Sequence, residues 1–170
     1  MTLFEVLPQV EIFTDGACTG NPGPGGYGVV IKQDGKTTEL SQGFTLTTNN
    51  RMELLAAIVG LGSLKTKSQV RLYTDSKYLS DAINLGWADT WRAKAWRKTG
   101  KGKILNPDLW QQLMRLLDDH KVELIWVKGH AGHPENERCD RLAVAAANGR
   151  NLLPDRNYES SQEDAQPGLF

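Results

Sequence analysis

Four acidic residues, Asp15, Glu53, Asp75 and Asp140, occupy places in this 170-residue chain where a carboxylate has two possible uses. Asp15 follows the apolar run Val10–Phe13 and precedes Gly16, where side-chain bulk is least, and Glu53 stands three residues after Asn50 at the start of a helical pattern. Asp75 separates the run VRLYT from the next helical stretch, and Asp140 lies among Glu137, Arg138 and Arg141 in the last one. Each alone has a structural explanation: turn chemistry for Asp15-Gly16, a capping box for Glu53, an N-cap for Asp75 and a solvated charged face for Asp140. Brought together, they would do something else. Crowded carboxylates raise one another's pKa unless a cation intervenes, and all-oxygen ligands favour hard Mg²⁺ or Mn²⁺ over Zn²⁺. Two such ions roughly 4 Å apart form the arrangement that cuts phosphodiesters. The competing metal reading, a zinc site from Cys18, His130, His133 and Cys139, lacks the paired-ligand spacing of zinc motifs.

The elements that would have to position these acids can be read from hydrophobic period. Val10–Phe13 predicts a buried strand, and the following TGNPGPGG, with two prolines fixing φ and four glycines, reads as a shaped loop. Tyr27–Lys32 and Thr37–Phe44, joined at Asp34-Gly35, extend this to a three-strand meander. From Asn50 to Leu64 the spacing is helical, with Asn49 or Asn50 as N-cap. A strand at Val70–Thr74 and a helix from Asp75-Ser76 to about Leu85 follow, then a helix opened by Asn106-Pro107-Asp108, a strand at Val122–Val127, the loop Lys128–Asn136 and a helix to about Asn148. This order describes an α/β fold whose mixed five-stranded sheet has three antiparallel strands, then two parallel ones, flanked by helices. Strands one and four can then be parallel central neighbours. That would set Asp15 and Asp75 at similar height, with Glu53 and Asp140 reaching the same spot from helices.

Hydrophobic residues at 39% and charged residues at 24% suit a water-soluble globular chain, and a net charge of zero argues against indiscriminate coating of nucleic acid. The average hides a separation. Between Trp87 and Lys103 lie Arg92, Lys94, Arg97, Lys98, Lys101 and Lys103 against the single acid Asp89, with Trp87, Trp91 and Trp96 set among them. Tryptophans at this spacing usually pack into a core. This segment is polar, basic and rich in glycine at its end, so it reads instead as a protruding helix and loop offering cations and aromatic faces to a phosphate backbone. Residues 151–170 are acidic and lose periodicity, so the expected division is a catalytic domain over residues 1–150 and a flexible tail. No apolar run approaches the ~20 residues that cross a bilayer, and Met1–Pro8 lacks the features of a signal peptide. The expected setting is the cytoplasm, with Cys18 and Cys139 as free thiols.

The blocks TDGACTGNPGPGG, TTNNRMELLAA, YTDSKY and WVKGHAGHPENERCDRLA, in that order, resemble the signatures of the ribonuclease H type 1 family, bacterial-type ribonuclease HI, from about Gln9 to Ala147. The resemblance implies hydrolysis of the RNA strand of RNA/DNA hybrids by two Mg²⁺ ions, with Mn²⁺ able to substitute, leaving 5′-phosphate and 3′-hydroxyl ends without strong sequence preference. It implies that Asp15 bridges both ions, that Asp140 completes the site of the attacking water, and that Glu53 and Asp75 complete the other. His130 takes the place of a mobile loop histidine assisting proton movement or product release. Asn21, Asn49 and Asn50 match polar positions of the substrate groove, and Thr48 with Asn21 matches a pair holding a DNA phosphate. Lys77 stands where glutamine is common. Trp87, Trp91, Lys94, Trp96, Arg97 and Lys98 fall in the family's substrate-binding protrusion. No membrane and no obligate protein partner are implied, and a monomer is the default. The alternative from another class is a non-catalytic hybrid-binding module, which four intact acids disfavour, since crowded carboxylates without metal repel a polyanion.

Overall fold

The computed structural model describes residues 6–97 and 104–164. Its elements are β1 (Gln9–Cys18), β2 (Gly23–Gln33), β3 (Lys36–Thr47), α1 (Asn49–Gly62), β4 (Gln69–Thr74), α2 (Lys77–Asn84), α3 (Trp87–Ala93), α4 (Pro107–Asp119), β5 (Lys121–Trp126), α5 (Pro134–Ala147), β6 (Leu152–Leu153) and α6 (Arg156–Asp164). The sheet has six strands in the order β5-β4-β1-β2-β3-β6, one more than expected. β1, β2 and β3 pair antiparallel, while β4 joins β1, and β5 joins β4, in parallel. The additional strand is two leucines pairing with Gly43 and Phe44, too short to show any alternation in sequence.

Alternation along β2 separates the layers. Val29 meets Gly60 of α1, while its neighbour Gly28 faces Cys139 of α5, so the two helices cover opposite faces. Ile12, Leu54, Leu61, Leu72, Leu79, Trp110 and Leu113 are fully buried and make the core beneath α1 and α4. On the other face α5 comes so close that a Cβ at Gly28 would lie 2.2 Å from the Cys139 carbonyl oxygen, and one at Gly43 2.1 Å from that of Ala146. This corrects the reading of TGNPGPGG as a loop. β1 runs on to Cys18 and β2 starts at Gly23, with Cys18 opposite Gly25, so only the link 19–22 is a turn, closed by Thr19 N–H donating to Pro24 O at 2.7 Å. Several of these glycines serve close packing rather than loop conformation.

Two caps differ from expectation. Thr48, not Asn49 or Asn50, caps α1, its Oγ1 accepting from Arg51 N–H at 3.2 Å. Ser76, not Asp75, caps α2 by accepting from Leu79 N–H at 3.1 Å. Both shifts release an acid from capping: Ser76 takes the N-cap beside Asp75, and a cap at Thr48 puts Arg51 rather than Glu53 three residues into the helix.

Residues 151–164, expected within a flexible tail, carry β6 and α6 and are bonded to the body of the fold. Asp155 accepts from Arg51 and from Thr47, and Glu159 accepts from Thr45. An acidic, aperiodic stretch reads as solvated only while its partners, here Thr45, Thr47 and Arg51, are unseen. Residues 165–170 of the expected flexible tail lie outside the described residues. No described helix is long and apolar enough to cross a membrane.

Candidate metal centre

The parallel register pairs Phe13 with Tyr73, so Asp15 and Asp75, each two residues further on, reach the same level. Asp15 lies inside β1 rather than at its end, is 4% exposed, and accepts from Gly16 N–H at 2.9 Å. Gly16 lets α1 settle onto β1: a Cβ there would lie 2.7 Å from Glu53 N and 2.8 Å from Met52 C. That close seat brings Glu53, 3% exposed, beside Asp15. One carboxylate oxygen from each of Asp15, Glu53 and Asp75 lies within 4.8 Å of the others. Glu53 Oε2 is buried and, alone among the described buried side-chain polar atoms, has no hydrogen-bond partner.

The electrostatics follow. Burial above all, then the charge of Asp75 and to a lesser degree Asp140, pushes the Asp15 carboxyl up to about 8, against the pull of hydrogen bonds with Glu53 and Gly16. Burial, then the charges of Asp15 and Asp75, raises Glu53 well above the ordinary carboxylate range. Among the described residues no Lys or Arg forms an ion pair with any of the four acids. Three crowded acids without a protein counter-charge, one of them with an orphaned buried oxygen, fit a hard divalent cation held by oxygen. The thiol and imidazole alternative does not assemble. Cys18 is bonded to the Gly23 and Thr47 carbonyls, and burial pushes the Cys139 thiol up, away from the thiolate that zinc requires.

Asp140 is not within the tight group of three, but it lines the same cleft, of about 360 Å³, with Asn49, Asn50, Lys77 and His130. Its position follows from the glycine seat of α5, since it is the neighbour of Cys139, whose carbonyl lies over Gly28. His130 is exposed at the cleft mouth with φ 56°, a left-handed conformation costing a non-glycine residue on the order of 1 kcal/mol. Asn21 Oδ1 accepts from Asn49 N–H at 3.1 Å, tying the β1–β2 turn to the start of α1.

The basic segment divides. Trp91 packs edge-on against the fully buried Trp110, with centroids 5.5 Å apart and planes at 70°, and Trp96 is also packed on the core. Both are half-buried against the core, a packing not expected of this segment, while Trp87 is 46% exposed. The reason is that the core partner, Trp110, lies on α4, which the local composition of the segment could not reveal. Arg92 is engaged by Asp118 and Asp89, whereas Lys94 and Arg97 are exposed. Lys98 lies outside the described residues.

Two site neighbours escaped the sequence reading. Arg51, 4% exposed, is gripped by Asp108 and Asp155, and its position between Asn50 and Met52 gave only a generic helix signal. Trp126, read only as part of the strand Val122–Val127, donates its indole N–H to the Asp75 carbonyl at 3.1 Å. An exposed tryptophan closing a strand just before Lys128-Gly129-His130 was the available sign.

The RNase H family matches residues 8–148. A ribonuclease H of Desulforamulus reducens is 62% identical over 146 residues, covering 86% of this chain and 92% of the relative. A ribonuclease HI of Synechocystis is 53% identical over 151 residues, 88% of this chain and 94% of the relative. A crystal structure of LC9-RNase H1, described as a type 1 RNase H with the type 2 active-site motif, superposes with a TM-score of 0.76 at 34% identity, over 93% of this chain and 82% of that one.

Proposed function

The chain belongs to the RNase H family and is a ribonuclease H, and from that premise we propose that it hydrolyses the RNA strand of RNA/DNA hybrids by two-metal-ion catalysis, leaving 5′-phosphate and 3′-hydroxyl ends. The observation that carries the reading is the convergence of Asp15, Glu53 and Asp75 within 4.8 Å around a buried, unpartnered Glu53 oxygen. These three, with Asp140 from the far wall of the cleft, would hold the ions, Mg²⁺ by preference and Mn²⁺ as substitute. When bound, the ions supply neutralisation of the acids and Lewis-acid polarisation at the scissile phosphate.

The chain's own residues do the rest. The burial that raises Asp15 and Glu53 also excludes bulk water from one side of the cleft, so charge placed there is weakly screened. His130, on its exposed loop, would take up or deliver a proton or help product leave. Asn49 and Asn50 face the cleft, and with Asn21 and Thr48 they offer amide and hydroxyl groups to sugar and phosphate of the substrate. Lys77, Trp87, Lys94, Arg97 and Lys98 would track the DNA strand by charge and ring contact. Selectivity for a hybrid arises because one track reads 2′-hydroxyls and the other accommodates a strand without them. The cytoplasm is the proposed setting.

The test incubates labelled RNA/DNA hybrid, RNA/RNA and DNA/DNA duplexes with the protein in Mg²⁺ and in EDTA. Cutting of hybrid RNA in Mg²⁺ alone is the expected result. Binding without cutting would favour the non-catalytic module.

A further inference from the structure

Asp75 is the least anchored of the three clustered acids. Asp15 and Glu53 are buried within β1 and α1, whereas Asp75 is half-buried and lies one residue beyond the end of β4. Past the last paired residue of β4 the strand ladder no longer fixes it, so something else must hold it. The restraint comes from β5 and the residues after it. The parallel β4–β5 ladder runs to Thr74 opposite Trp126 and closes with Val127 N–H donating to Thr74 O at 2.8 Å. The next carbonyl, that of Asp75, is taken by a side chain: Trp126 Nε1–H donates to it at 3.1 Å. The indole thus extends the ladder one residue past the strands. Gly129 backs the carboxylate itself, since a Cβ there would lie 2.7 Å from Asp75 Oδ2. The same indole ring carries the Lys77 ammonium 4.4 Å from its centroid, and Lys77 lines the cleft beside Asp75.

We propose that Trp126 is a positioning residue that ties Asp75 and Lys77 to β5, fixing a metal-binding carboxylate through its indole N–H and a phosphate-facing cation through its ring face. The proposal rests on the reading of the cleft as a divalent-metal and nucleic-acid site. Its two halves are chemically separable. Phenylalanine keeps a ring face for Lys77 and removes the N–H, whereas Lys77→Gln removes the cation and leaves the N–H in place. Trp126 closes an edge strand and is 39% exposed, so its replacement does not open the core.

The experiment uses the full chain and two readouts: the rise in melting temperature on titrating MgCl₂ without substrate, and kcat and KM on labelled hybrid at saturating Mg²⁺. Trp126→Phe should raise the Mg²⁺ midpoint about tenfold, the usual effect of losing a partner that orients a ligand, with KM changed less than about twofold. Trp126→Tyr, which also keeps a ring and loses the N–H, should behave alike. Lys77→Gln should leave the Mg²⁺ midpoint within about twofold and raise KM about threefold to tenfold, with a shallower salt dependence. Trp126→Leu should show both changes. A wild-type Mg²⁺ midpoint in both Trp126→Phe and Trp126→Tyr, or a change confined to KM, would overturn the proposal. If the wild-type protein neither binds Mg²⁺ nor cuts hybrid, it is the metal reading of the cleft that falls.

Discussion

Asp155 accepts from Arg51 Nε at 2.7 Å and from Nη2 at 2.9 Å, joining the start of α6 to the first turn of the helix that carries Glu53. The other side of the guanidinium is held by Asp108 at 2.9 and 2.8 Å, so an almost fully buried charge has both faces paired. Removing one partner leaves that charge under-compensated in a place water does not reach. Asp155→Ala should therefore lower the unfolding free energy by about 3 kcal/mol in urea titration, the scale of a broken buried ion pair. A change nearer 0.5 kcal/mol would mean that the pair behaves as an exposed one.

Gly16 and Gly28 separate catalysis from stability. Gly28→Ala would press a methyl against the backbone of α5, and because neither side can yield it should cost about 1–3 kcal/mol or more in thermal unfolding. Gly16→Ala presses instead on the Met52–Glu53 backbone, lifting Glu53 away from Asp15. A displacement of about 1 Å in a catalytic constellation costs roughly 10²-fold, so cutting should fall by that order even where the protein remains folded. Comparing kcat with melting temperature for the two variants checks the distinction.

The acid cluster predicts how stability responds to pH without metal. In the folded chain Asp15 keeps its proton up to about 8, while in the unfolded chain it is lost near the ordinary value of 3.8. The folded state therefore binds more protons across that interval. In EDTA, stability should decline as pH rises from about 4 through about 8, and added Mg²⁺ should flatten the decline. Asp15→Asn, which removes the repulsion, should stabilise the metal-free protein at pH 8 by on the order of 1–3 kcal/mol. Melting temperatures that do not vary with pH in EDTA would contradict the crowding.

The basic segment gives a prediction that sorts its residues. Trp91→Ala should destabilise by about 3–5 kcal/mol, since it empties a place beside Trp110. Trp87→Ala should leave stability nearly unchanged and weaken hybrid binding. Replacing Lys94 and Arg97 should reduce the salt dependence of binding by close to one unit of slope for each lost phosphate contact. Arg92→Ala, already neutralised by Asp118 and Asp89, should not. Binding titrations over a range of salt concentrations decide each case.

Much of this arrangement was legible in the sequence, for identifiable reasons. The meander and the two crossovers follow from hydrophobic period, and the parallel pairing of β1 with β4 sets Asp15 and Asp75 level. Glu53 and Asp75 each had a plausible capping role, and only the hydroxyls of Thr48 and Ser76, seen in place, show those roles filled. What could not be read depended on partners far along the chain. Trp91 packs on the core because of Trp110, and residues 151–164 are part of the fold because of partners such as Arg51. The glycines of TGNPGPGG look like loop chemistry until α5 is laid across β2. Period and propensity report a residue's own neighbourhood; a contact across a hundred residues leaves no local mark.

The most direct measurement is of the Asp15→Asn variant with labelled hybrid, following binding and cutting side by side in Mg²⁺. The carboxylate at the centre of the cluster is lost while the groove surfaces remain, so binding should stay within about threefold of wild type and cutting should fall by at least about 10³-fold, as when a principal electrostatic contributor is removed. Cutting at near wild-type rate by Asp15→Asn would contradict a metal centre built on Asp15, Glu53 and Asp75.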